Sequence, residues 1–140
     1  MNVTIYHNPS CGTSRNVLAI IRAAGIEPTI VEYLKTPPSK EELKQILVAL
    51  GGNVRMLLRH RDTPYAQLGL RDQMWSEEAL LDFIRQHPIL LERPIVVTDK
   101  GTAMCRPKEK VLELLPRDAV EKYTRETGEA ARSAQAKASA

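Results

Sequence analysis

A chain of 140 residues, 43% of them hydrophobic and with a formal net charge of +3, is long enough for one core and too short for two ordinary domains. Acidic and basic residues alternate, as in KEELKQ and RPKEKVLEL, with no long block of like charge, so nothing marks a nucleic-acid binder. No apolar run reaches the roughly 18 residues of a membrane span, and MNVTIYHNPS does not read as a secretory leader, so a cytoplasmic protein with no membrane partner is expected.

The first element is NVTIYH, residues 2 to 7, whose β-branched and aromatic residues read as a short buried strand ending at the loop NPS. A helix beginning near Thr13 or Ser14 follows, with Val17, Leu18, Ile20, Ile21 and Ala24 on one face and Gly25 as its stop. TIVEY, residues 29 to 33, reads as a second strand, parallel to the first across a strand, helix, strand unit. Ser39 and Glu42 form a capping box that starts a helix ending near Gly51 and Gly52. NVRMLLRH reads as a short helix, and SEEALLDFIRQHP as another with Ser76 as its N-cap. Strand pattern returns after Pro94: IVVT, a DKG turn and TAMC form a hairpin, and Pro107 opens a helix over KEKVLELL. The expected fold class is α/β, a thioredoxin-like mixed sheet with flanking helices. A single domain is expected over residues 1 to 123, with a helical insertion at about 36 to 90. Residues 124 to 140, rich in Ala, Ser and charge, read as a disordered tail.

The two cysteines, Cys11 and Cys105, are not expected to pair in a reducing compartment. Together with His7, His60 and His87 they lack zinc-ligand spacing, so no metal is expected. Cys11 lies between a strand and a helix start, where unpaired N–H groups and the helix dipole favour a thiolate and also cradle an oxyanion. Arg15 and a protonated His7 add positive charge, and the Gly12 backbone and the hydroxyls of Thr13 or Ser14 are candidate donors to the sulfur. Ser14 stands where a disulfide oxidoreductase has its second cysteine, so an oxidised Cys11 needs an outside thiol such as glutathione to resolve it. Cys105 is a candidate distant resolving partner, but strand-like TAMC favours reading it as a buried core residue.

The segments YHNPSCGTSRN, EPTIVEYLKTPPS, the LLR of VRMLLRH, PYAQLGL, QHPILLERPIVV and CRP, in this order over residues 2 to 115, resemble the glutaredoxin-coupled arsenate reductases, the ArsC family within the thioredoxin-like superfamily. The resemblance implies reduction of arsenate to arsenite, with glutathione as co-substrate, glutaredoxin as partner and no bound cofactor. It makes Cys11 the nucleophile, sets Arg59, Arg93 and Arg106 on the oxyanion, places His7 and Ser14 around the thiolate and implies a cis peptide before Pro94. Periodicity alone does not choose Arg59 over its neighbours Arg55 and Arg61. Two rival readings use the same fold: a glutathione-dependent thiol/disulfide reductase, and a thiol-stress regulator that binds RNA polymerase, against which Ser14 argues.

Overall fold

The computed structural model describes residues 1–128. In chain order its strands and α-helices are β1 (Thr4–His7), α1 (Gly12–Ala23), β2 (Thr29–Glu32), α2 (Lys40–Leu50), α3 (Glu77–Gln86), β3 (Ile95–Thr98), β4 (Gly101–Met104) and α4 (Arg117–Thr127). Short 3₁₀ helices cover Val54–Leu57, Pro88–Leu90 and Lys108–Leu114. The chain divides into two compact units, Met1–Val31 with everything from Arg93 onward, and Glu32–Glu92. No helix among the described residues is long and apolar enough to cross a membrane.

The first unit is built on a mixed four-stranded sheet in the order β2-β1-β3-β4. β1 runs antiparallel to β3, with Tyr6 opposite Ile95, and β3 antiparallel to β4, with Ile95 opposite Met104 and Thr98 opposite Gly101. The last pair leaves Asp99 and Lys100 as a two-residue turn, the tight hairpin that the DKG sequence predicts. α1 forms because its apolar residues recur at helical spacing. Val17, Leu18, Ile20 and Ile21 are buried while Arg15, Asn16, Ala19 and Arg22 face outward. Gly25, at φ +86°, ends the helix. Its N–H donates to the Arg22 carbonyl (2.9 Å) and that of Ile26 to the Ile21 carbonyl (3.2 Å), a Schellman closure. The core under α1 gathers Ile5, Val17, Ile21, Val96, Cys105, Val111 and Tyr123. Each large apolar side chain buried there contributes about 1.5–3 kcal/mol, which anchors the start of α1 and the end of β1.

In the second unit α2 packs on α3, and Leu43, Leu47, Leu80, Leu81 and Ile84 are buried. Both helices carry the caps that the sequence predicts. Ser39 accepts from the Glu42 N–H at 3.1 Å with the Glu42 carboxylate returning to the Ser39 N–H, and Ser76 accepts from the Ala79 N–H at 3.1 Å. Val54–Leu57 is a single 3₁₀ stretch capped by Asn53, the short helix expected of NVRMLLRH.

KEKVLELL forms the expected helix, of 3₁₀ type over Lys108–Leu114, because Pro116 prevents it from lengthening and its apolar residues Val111, Leu112 and Leu114 are all drawn into the core. One expectation at the C-terminal end is corrected. Residues 124 to 127, expected in the tail, continue helix α4, which buries Ala119 and Tyr123 four residues apart and ends at Gly128 with φ +71°. The remainder of the expected tail, 129 to 140, lies outside the described residues.

Candidate active site

Pairing register brings the first-unit residues together. Continued two residues past Ile95 and Met104, the hairpin register sets Arg93 opposite Arg106, and the Cys105 N–H still donates to the Pro94 carbonyl at 2.9 Å. On the other side of β3, the register of Tyr6 with Ile95 delivers the end of β1 to the same end of the sheet. The β1–α1 loop carrying Cys11 therefore meets the open end of the hairpin. The Arg93–Pro94 and Arg106–Pro107 peptides are both cis, the first of them as the resemblance implies.

Cys11 is the N-cap residue of α1, with extended backbone (φ −93°, ψ 121°). Its N–H donates to the Asn8 carbonyl and its carbonyl accepts from the Arg15 N–H, both at 3.0 Å, so the loop is a closed turn from Asn8 into the helix. The sulfur is half-buried. Arg106 Nη1 lies 3.7 Å from Cys11 Sγ and also donates to the Arg93 carbonyl at 3.2 Å, which steadies the guanidinium against the sulfur. Burial of the sulfur pushes its pKa up, but the Ser14 backbone N–H, the hydrogen bond and charge of Arg93, and the hydrogen bond from Arg106 outweigh it, leaving the thiol below its ordinary 9.0. Thiolate and guanidinium groups are thus mutually supporting.

Ser14 and His7 support the sulfur differently from expectation. The Ser14 N–H, and not its hydroxyl, acts on Cys11. Its buried Oγ is 2.6 Å from His7 Nδ1 and accepts from the Asn8 N–H at 3.1 Å. His7, itself buried, therefore acts through Ser14 on the loop that presents the sulfur. Asn8 is the residue the sequence reading missed. It is 3% exposed, its Oδ1 accepts from the Ser10 N–H at 2.9 Å, and its carbonyl holds the Cys11 N–H. An Asn-Pro pair before a helix is a recognisable turn signal, though not one that reveals three bonds from one residue.

Arg59 belongs to the second unit. Its Nη1 donates to Glu92 Oε1 at 3.1 Å and its Nε to the Arg61 carbonyl at 3.1 Å. Its neighbours are now distinguishable. Arg55 spans the Leu70 and Asp72 carbonyls (2.8 and 2.7 Å) as a structural clamp, and Arg61 is an exposed partner of Asp62. Cys105 is fully buried and its thiol is pushed up to about 12, chiefly by desolvation, the behaviour of a core residue rather than a resolving thiol.

A half-buried thiol at a helix start, set beside two arginines that lower its pKa on a thioredoxin-like α/β sheet, defines a thiol enzyme acting on an anion. The ArsC family model matches residues 6–114. The chain is 56% identical over 130 residues to an arsenate reductase of Rhizobium meliloti, covering 93% of each protein, and 52% identical over 128 residues to one of Escherichia coli K12, covering 91% of each. The structure of an arsenate reductase from Vibrio cholerae superposes with a TM-score of 0.79 at 46% identity, covering 82% of this chain and 98% of that one. The chain belongs to the ArsC family.

Proposed function

We propose that this protein reduces arsenate to arsenite with the Cys11 thiolate as nucleophile and glutathione and glutaredoxin as electron donors, in the cytoplasm. The observation that carries the reading is the Cys11 sulfur at the start of α1 with the Arg106 guanidinium 3.7 Å from it, in a chain more than half identical to an arsenate reductase over 93% of its length. Arsenate is a tetrahedral oxyanion, and guanidinium forks match its oxygens in pairs. The Cys11 thiolate attacks arsenic and a hydroxide, leaving as water once protonated, is displaced to give a sulfur–arsenic(V) adduct. The arginines hold the oxyanion charge as it shifts. A glutathione thiolate then attacks Cys11 Sγ. The sulfur–sulfur bond forms, the sulfur–arsenic bond breaks, and its electron pair stays on arsenic, which leaves as arsenite. Glutaredoxin takes the glutathionyl group by a second thiol exchange and restores the Cys11 thiolate. Ser14 at the resolving position and the full burial of Cys105, with its thiol pushed up to about 12, support dependence on outside thiols. Arg59 enters this reading from the resemblance, as a third guanidinium for arsenate in exchange for its Glu92 partner.

The test is arsenite formation by purified protein with arsenate, glutathione, glutaredoxin and a system that keeps glutathione reduced, each component omitted in turn. The full mixture is expected to produce arsenite, each omission to stop it, and Cys11→Ser to abolish turnover with an unchanged circular dichroism spectrum. A complete mixture without arsenite overturns the proposal.

A further inference from the structure

Beside the thiolate loop, on the outward side of α1, an open groove of about 530 Å³ is lined by His7, Pro9, Arg15, Leu18, Ala19 and Arg22, a volume in the range of small-molecule sites. Resting on the reading above, which requires an outside thiol and leaves its seat unassigned, we propose that this groove binds the glutathione that resolves the Cys11 adduct.

Placement is the first argument. Arg15, Leu18, Ala19 and Arg22 recur at the i, i+3, i+4, i+7 spacing of one helical stripe. Leu18 forms the floor, 9% exposed, while Arg15, Ala19 and Arg22 are open to solvent. The stripe begins one turn after Cys11, and Pro9 precedes Cys11 by two residues, so one end of the groove adjoins the nucleophile's own loop. Arg15 folds back over that loop, its Nη1 donating to the Pro9 carbonyl at 2.9 Å.

Charge complementarity is the second argument, and it selects the occupant. Glutathione carries a carboxylate at its glycyl end and an ammonium with a carboxylate at its γ-glutamyl end. The groove offers an isolated positive charge near Cys11, at Arg15. At its far end Arg22 is held in a fork by Glu27 (2.9 to 3.2 Å) on the exposed surface, so both signs are presented together there. The α-carbons of Arg15 and Arg22 are about 10 Å apart along the helix, at ~1.5 Å per residue, the scale of an extended tripeptide at ~3.3 Å per residue. The γ-glutamyl arm then runs over Leu18 and Ala19 to the Arg22–Glu27 pair, the glycyl carboxylate meets the Arg15 guanidinium, which folds back to Pro9, and the cysteinyl residue between them turns its thiol toward the loop of Cys11.

Ala19 provides the test, because an exposed helical alanine accepts Glu or Lys at little cost to the helix. S-methylglutathione, which cannot react, is titrated into the full-length protein by calorimetry, and the KM values for glutathione, arsenate and glutaredoxin are measured in parallel. Ala19→Glu is expected to weaken S-methylglutathione binding and raise the glutathione KM about tenfold or more, about 1.4 kcal/mol per tenfold, while the arsenate KM stays at its wild-type value. Ala19→Lys, of similar bulk, is expected to match or tighten wild-type binding. Absence of S-methylglutathione binding, an equal response to both substitutions, or a rise confined to the glutaredoxin KM overturns the groove assignment. The two readings separate cleanly: charge-dependent S-methylglutathione binding in a protein that makes no arsenite supports the groove and removes the arsenate reaction, and arsenite formation with a glutathione KM indifferent to Ala19 does the reverse.

Discussion

Iodoacetamide added to the folded protein is expected to label Cys11 and to spare Cys105, because one thiol is half-buried and held below 9.0 by its neighbours while the other is sealed in the core and pushed up to about 12. Mass spectrometry of the labelled peptides checks it, and labelling rate against pH should place the Cys11 midpoint below that of an ordinary thiol. The same depression links to stability. A thiol that ionises more readily folded than unfolded stabilises the native state fully above its unfolded pKa, and that contribution fades as pH falls through the folded value. The stability difference between wild type and Cys11→Ser should therefore move in favour of wild type as pH is raised across that window, as read from urea unfolding at several pH values. Ser14 is expected to matter for the loop as well as for the sulfur. Ser14→Ala removes the acceptor used by the Asn8 N–H and the partner of His7 Nδ1, at a cost of about 1–3 kcal/mol in urea unfolding.

At the scale of elements, the local rules that place helices also place the caps, and these can be tested apart from the chemistry. Ser39→Ala removes the hydroxyl that accepts from the Glu42 N–H in the capping box that opens α2 and should lower stability by ~1 kcal/mol, with the Cys11 labelling rate unchanged; a slowed labelling rate would contradict the separation. The β3–β4 hairpin has a further consequence. Its two-residue turn fixes the register, and the register alone brings Arg93 and Arg106, 13 positions apart in sequence, to the same end. Both strands were legible from their β-branched residues and their turn. Helix α4 was not, because only two of its residues, Ala119 and Tyr123, are buried and the rest is as polar as the segment that follows.

For the molecule as a whole, the groups that depress the Cys11 pKa, namely Ser14, Arg93 and Arg106, all belong to the first unit, and Arg59 to the second. Two kinds of arginine variant should result. Arg106→Ala is expected to raise the pH midpoint of Cys11 labelling and to lower kcat. Arg59→Ala should leave that midpoint in place and raise the arsenate KM about tenfold or more, ~1.4 kcal/mol per tenfold. Labelling and steady-state kinetics on the same two proteins check both, and a shifted midpoint in Arg59→Ala would count against a role confined to substrate.

The sequence by itself determined the strand, helix and hairpin elements around Cys11, its position at a helix start, and the absence of a second cysteine three residues on. Periodicity, turn chemistry and spacing are local properties, so local reading reaches them. The motif order also indicated the family. Tertiary structure decided what the side chains do: that Arg106 reaches the sulfur and is held by the Arg93 carbonyl, that the Ser14 hydroxyl serves His7 and Asn8 while its N–H serves Cys11, that Arg55 is a clamp and Arg59 a partner of Glu92, and that Cys105 is sealed. Those outcomes depend on distance and burial between residues far apart in the chain, which pairing register and core packing set and which no local pattern of residue types records.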